Sequence, residues 1–206
     1  MFRSAATRRI ALTVMVLLTP SVSHAQYNLS ADIATVSNPN GVWSFGSRAV
    51  NNLFSASLSV YSTSITAGGW EAHWTDAGNL PGVFKNISNT VQSSGTVQGI
   101  AAGQLFAHPG ASNEFSIVRF TAPTSGLFAV SSVFTGIDCC FTNTDVYVIE
   151  NGSTALFSDF VYGFGAKKSY GGDVFLNAGG EWWTLWSGQT VRTTMTPRRS
   201  TSAWTL

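Results

Sequence analysis

The chain has 206 residues, of which 44% are apolar and 10% charged, with a formal net charge of +1. Charge this sparse and this evenly balanced leaves no basic patch for nucleic acid, and the length suits a single domain with a sizeable core. Gly, Ser, Thr, Val, Phe and Trp dominate over Glu, Lys and Leu, a balance that favours strands over helices.

The first element is an export signal. Arg3, Arg8 and Arg9 precede the apolar run from Ile10 to Leu18, and Ser23-His24-Ala25 places small residues where a signal peptidase reads. This predicts a signal peptide over residues 1–25, cleaved after Ala25; the run is too short to span a bilayer. Removal of the leader takes three arginines with it and leaves eight basic against ten acidic residues. The expected location is secreted or extracytoplasmic, in the periplasm or at the cell surface, with no membrane span after cleavage.

Residues 26–180 read as one β domain. Runs of six to nine β-branched and aromatic residues recur between Gly, Pro, Asn and Asp, the punctuation of strands. The clearest are Ser57 to Ile65, Gly69 to Thr75, Phe115 to Ala122, Leu127 to Phe134, Asp145 to Glu150 and Ala155 to Tyr162. Phe115 to Ala122 is apolar on both faces, which predicts a central strand. Leu127 to Phe134 alternates more weakly and is expected nearer a sheet edge. The turn Pro123-Thr124-Ser125-Gly126 is expected to join these two as a hairpin, and Glu150-Asn151-Gly152-Ser153 to join the last two. The predicted fold is an all-β, antiparallel, jelly-roll-like β-sandwich preceded by a signal-peptide helix.

Two segments carry a family likeness. Ser37-Asn38-Pro39-Asn40-Gly41-Val42-Trp43-Ser44-Phe45-Gly46 resembles the opening of a group of bacterial exported proteins, many of which end in a PEP-CTERM sorting tail. His108-Pro109-Gly110, the run from Asn113 to Pro123, and Thr144-Asp145-Val146-Tyr147-Val148 with Asn151-Gly152 resemble the centre of the same group. The resemblance covers roughly Asp32 to Asn177. It implies a secreted domain akin to carbohydrate-binding sandwiches and brings no catalytic residues with it. A Pro-Glu-Pro motif, apolar helix and basic end are missing here.

Residues 181–206 form an atypical tail. Glu181-Trp182-Trp183-Thr184-Leu185-Trp186 opens a segment that holds Arg192, Arg198 and Arg199 but little strand punctuation. Read from one base earlier, Trp182-Trp183-Thr184 becomes Met or Val, then Val, then Asp. Permissible codons turn the tail into VVDFVVGPDGSYDNDTTPLDVGVDV, two apolar strands around a Gly-Pro-Asp-Gly-Ser turn. Two readings therefore stand open: a base lost or gained near Gly179-Gly180, and a genuine divergent tail.

Candidate sites are few. Cys139 and Cys140 are adjacent, and three states remain open for them: two thiols, a vicinal disulfide stiffening the loop from Gly136 to Asn143, or an intermolecular bridge. No Cys-x-x-Cys or neighbouring His completes a metal set around them, and any metal is unknown. Asp138, Asp145, Asp159 and Asp173 offer oxygen ligands for calcium but read first as turn residues. No other cofactor is indicated. His108 reads as a turn residue ahead of Pro109-Gly110. The aromatic residues make the best functional case, because sugar rings stack their C–H faces on indole and phenol planes. Trp70, Trp74, Trp43 and Tyr61 lead, with Tyr147 and Tyr162 behind them. On a regular strand Trp70 and Trp74 would share one face about 13 Å apart, and His73 could join that surface.

These residues point to a secreted non-catalytic protein that binds extracellular polysaccharide through exposed aromatics. A structural surface or matrix protein without a small ligand is the alternative. A glycoside-active hydrolase ranks third, because Glu71 with Asp76 and Glu114 with Asp138 are the carboxylate pairs to consider, and spacing alone gives neither a reason to meet.

Overall fold

The computed structural model describes residues 26–33, 36–49, 54, 57–76, 78, 80–112, 114–140, 143–188, 191–195 and 198–199. The predicted leader, residues 1–25, and residues 200–206 of the tail lie outside the described residues. One short helix, α1 (Leu29–Asp32), precedes the strands β1 (Trp43–Ala49), β2 (Ser59–Val60), β3 (Thr63–Ala67), β4 (Glu71–Thr75) and β5 (Gly82–Asn86). There follow β6 (Gln92–Ser94), β7 (Val97–Ile100), β8 (Leu105–His108), β9 (Glu114–Thr121), β10 (Gly126–Gly136) and β11 (Asn143–Glu150). The last are β12 (Thr154–Tyr162), β13 (Lys167–Leu176), β14 (Glu181–Gly188), β15 (Val191–Met195) and β16 (Arg198–Arg199).

The strands build an antiparallel β-sandwich. One sheet runs β12-β11-β14-β9-β1-β2, the other β13-β10-β15-β8-β5-β4-β3 with β16 beside β10, and β6-β7 form a separate ribbon. From β9 onward the chain crosses the sandwich repeatedly, leaving one sheet for the other at β9–β10, β10–β11, β12–β13, β13–β14 and β14–β15. That alternation is the jelly-roll manner of closing a sandwich.

The core follows from strand alternation. In β10 the residues facing inward are Phe128, Val130, Ser132 and Phe134, all buried. The three apolar ones cluster with Val118 and Phe120 of β9, Val146 and Val148 of β11, and Trp182 of β14. Phe120 is the hub: its ring lies 4.9 Å from Trp182, 5.3 Å from Trp43, 5.6 Å from Phe128 and 5.1 Å from Tyr27. Rings at these separations and tilts add to the area they bury.

The opening segment has a structural job. Asn38 donates through Nδ2 to the carbonyls of Phe45 and Tyr61 and accepts from the Phe45 amide, which ties the entry to β1 against the segment between β2 and β3. Gly41, at φ 57, turns the chain, and the Trp43 amide and carbonyl close that turn with Asn40. At Gly46 a Cβ would strike the Ser59 carbonyl and the Leu58 side chain, so β2 pairs here only because the side chain is missing.

Two expectations about strands are corrected. The Pro123–Gly126 turn does not make a hairpin: β9 is hydrogen-bonded on both sides, by β1 and β14, and β10 belongs to the opposite sheet. The same pairing moves Leu127 to Phe134 from an edge to the interior of its sheet, between β13 and β15. Asn151 and Gly152 do make the hairpin between β11 and β12, at φ 48 and 67, closed by the Ser153 amide donating to the Glu150 carbonyl. Positive φ at both positions is what a type I′ turn requires.

Residues 181–188 enter the sheet as β14, between β11 and β9, with Trp182 and Trp183 fully buried. Trp182 points into the core and Trp183 into a smaller cluster on the outer face, with Phe115, Ile117 and Ile149.

Candidate functional site

Most of the aromatic residues favoured by the sequence are core. Trp43 and Tyr61 are each 1% exposed and Trp74 5%, so no sugar ring reaches them. Tyr61 instead places its hydroxyl 3.1 Å from Ser116 Oγ, and burial pushes the phenol well above its ordinary range. Trp70 and Trp74 do not share a face. Gly68 and Gly69, both at positive φ, put Trp70 in a turn ahead of β4. Trp74 then joins the main core, whereas Trp70 packs over Phe106 on the outer face, ring centroids 6.4 Å apart. His73 is buried too, its ring 4.7 Å from Phe84 and its Nδ1 3.0 Å from Glu71 Oε1.

Four of the carboxylates have local neighbours. Glu71 faces His73, Glu114 accepts from the Ser112 amide, and Asp138 accepts from Thr96 Oγ1. Asp159 pairs with Lys168 at 2.8 Å. Asp138, Cys139 and Cys140 form the single trio of metal-capable residues among the described residues, and Asp145, Asp159 and Asp173 are not part of it. His108 ends β8 rather than standing in a turn, with Nδ1 2.7 Å from the Pro109 carbonyl.

The outer face of the six-stranded sheet changes character along its width. Over β1, β9 and β14 it is sealed. The Arg48 guanidinium lies 4.0 Å above the Trp183 ring and donates to the Ser57 carbonyl, and Arg119 bridges to Glu181 at 3.1 Å. Burial pushes Arg48 down to about 10, against the opposing pull of Glu181.

Over β11 and β12 the same face lies open. Cross-strand pairing sets Tyr147 opposite Ser158, Asp145 opposite Phe160 and Asn143 opposite Tyr162. Directly paired residues of an antiparallel ladder project to one side, and alternate residues share that side. The six therefore make a two-by-three grid, about 5 Å across the strands and about 7 Å between rows. Phe160 is 41% exposed and Tyr162 75%, their rings 6.4 Å apart and inclined by only 22°. Phe164, 55% exposed, follows in the next turn. Tyr147 is half-buried against Phe115, 5.8 Å away, and is raised above the ordinary tyrosine range chiefly by burial. Asn143, Asp145 and Ser158 supply exposed polar atoms beside the rings.

This platform is tied down at two points. β12 is an edge strand, yet the type I′ turn fixes one end of the β11–β12 hairpin, and Asp159 grips Lys168 of β13 across the corner of the sandwich. Val161, between the two exposed rings in sequence, is fully buried and anchors the strand from beneath. Tyr147 and Tyr162 are among the aromatics expected to meet a ligand; Phe160 and Phe164 are not. Their signal was the alternation Phe160, Tyr162, Phe164 against Asp159, Val161, Gly163.

A separate cleft of about 360 Å³ lies between Ser30, the loop of Ala101 to Gln104, Val133, Thr135 and Lys167. Its described lining contains no aromatic side chain and no carboxylate.

No family model and no curated protein matches the chain. Solved structures similar to it include a GH26-CBM35 β-(1,4)-mannanase of Podospora anserina, at 16% identity and a TM-score of 0.32, covering 78% of this chain and 28% of that one. A family 35 carbohydrate-binding module of Clostridium thermocellum has 16% identity and a TM-score of 0.31, over 65% of this chain and 85% of that one. The K1 cleaved adhesin domain of Lys-gingipain from Porphyromonas gingivalis has 11% identity and a TM-score of 0.36, over 87% and 99%. The chain thus spans little more than a quarter of the mannanase. At these values the functional reading has to rest on the chain's own surface.

Proposed function

We propose that this chain is an exported, non-catalytic protein that binds extracellular polysaccharide on the open face of β11 and β12. The observation that supports it is the pair of nearly parallel exposed rings, Phe160 and Tyr162, with Asn143 and Asp145 directly across the ladder. Apolar C–H faces of sugar rings stack on such planes, and the amide and carboxylate meet hydroxyls at the ring edges. A contiguous exposed aromatic surface is unusual on a soluble monomer and marks an interaction site. Glu114, Asp138 and Asp159 each have a local hydrogen-bond or ion-pair partner, which supports a non-catalytic reading over a hydrolase. Among the described residues no helix is long and apolar enough to cross a membrane.

The test is retardation in gels cast with soluble polysaccharides, and pull-down on insoluble ones. The expected result is that one class of polysaccharide retains the protein, and that Phe160→Ala/Tyr162→Ala weakens retention at least tenfold, about 1.4 kcal/mol. Wild-type protein that ignores every polysaccharide yet self-associates would overturn this reading in favour of a structural matrix protein.

A further inference from the structure

Independently of glycan binding, we propose that Cys139 and Cys140 are a modification site: a vicinal dithiol that closes to a disulfide by exchange with a small-molecule or protein disulfide. They are the chain's two cysteines, both are exposed, and their sulfurs lie 3.0 Å apart. A disulfide is about 2.05 Å long, so closure needs a further approach of about 1 Å.

The turn around them holds the pair in place. Asp138 forms a bridge with Val97 of β7, and the Gln98 amide donates to the Ile137 carbonyl. The Cys139 amide donates to the Thr96 carbonyl at 2.9 Å. Asp138 accepts from Thr96 Oγ1 through Oδ2 and from the Cys140 amide through Oδ1, each at 2.9 Å. Both carboxylate oxygens are thereby engaged, which makes Asp138 a brace for the turn and a poor third ligand for a metal. The hydrogen bond to Cys139, with burial and the charges of Cys139 and Asp138 behind it, holds the Cys140 thiol above its ordinary range. Exchange therefore accelerates as pH rises.

The chemistry balances in two steps. One cysteine thiolate attacks a sulfur of the donor disulfide, forms a mixed disulfide and expels a donor thiolate. The second cysteine, after losing its proton, attacks the first cysteine's sulfur and expels the other donor thiolate. The two cysteines are oxidised by two electrons, the donor is reduced, and the protons pass to the released thiolates. The adjacency of the second thiol makes this last step intramolecular and outruns release of a stable adduct.

The test incubates the protein with oxidised glutathione, quenches with an alkylating agent and reads the intact mass. The expected wild-type product is a monomer lighter by two hydrogens that takes no alkyl group until it is reduced. Cys139→Ser and Cys140→Ser should each retain one glutathione, with thermal midpoints matching the wild type to show that the fold is intact. Wild-type protein that keeps two alkylatable thiols, accumulates a stable glutathione adduct or ends as a disulfide-linked dimer would overturn the assignment.

Discussion

Single residues separate the structural aromatics from the exposed ones. Tyr61→Phe removes the hydroxyl partner of Ser116 from a buried network, with an expected cost of about 1 kcal/mol in urea denaturation and no change in polysaccharide retention. Phe120→Ala removes the ring around which Trp43, Trp182, Phe128 and Tyr27 pack, and its expected cost is about 3–5 kcal/mol by the same measurement. Asp159 gives a pH signature. Its carboxyl is held below the usual aspartate range first by the hydrogen bond from Lys168 and then by the Phe160 amide. A depressed folded-state pKa contributes stability above the unfolded value, about 3.9, and loses that contribution as pH falls through the folded value. Asp159→Asn should therefore flatten the acid limb of the melting temperature below about pH 4. The effect is small, because the pair is about one-third exposed and screened by salt.

At the scale of elements, turns and pairings carry different information. Asn151-Gly152 was legible because a type I′ turn is a local demand on two backbone angles. Gly152→Ala is expected to cost about 1–2 kcal/mol by forcing a Cβ into the left-handed region, read as a lower unfolding midpoint with reduced order in the β11–β12 hairpin. Pro123–Gly126 was legible as a reversal too, but not as a crossing between sheets. What decided that was the occupation of both edges of β9 by β1 and β14, whose paired residues lie 60 or more positions away in the chain. The aromatic platform divides the same way. That Tyr162 alternates with Val161 is visible in sequence; which of the two faces water depends on which side of β12 the second sheet covers.

For the whole molecule the tail is the element in question. Thr184 is buried, with Val118 and Val148 opposite it on the neighbouring strands, and the alternative reading frame would supply Asp at that position. Burying a carboxylate there costs several kcal/mol, so Thr184→Asp is expected to lower the urea unfolding midpoint sharply, read by circular dichroism. By itself the sequence determined the all-β class, the approximate strands and the tight turn at Asn151-Gly152, because period-two alternation and backbone preference act within a few residues. Only the tertiary structure decided that Trp43, Tyr61 and Trp74 are core while Phe160, Tyr162 and Phe164 meet solvent. Burial is a property of how two sheets close over one another, and an aromatic ring has the same chemistry on either side of a strand until that closure is fixed.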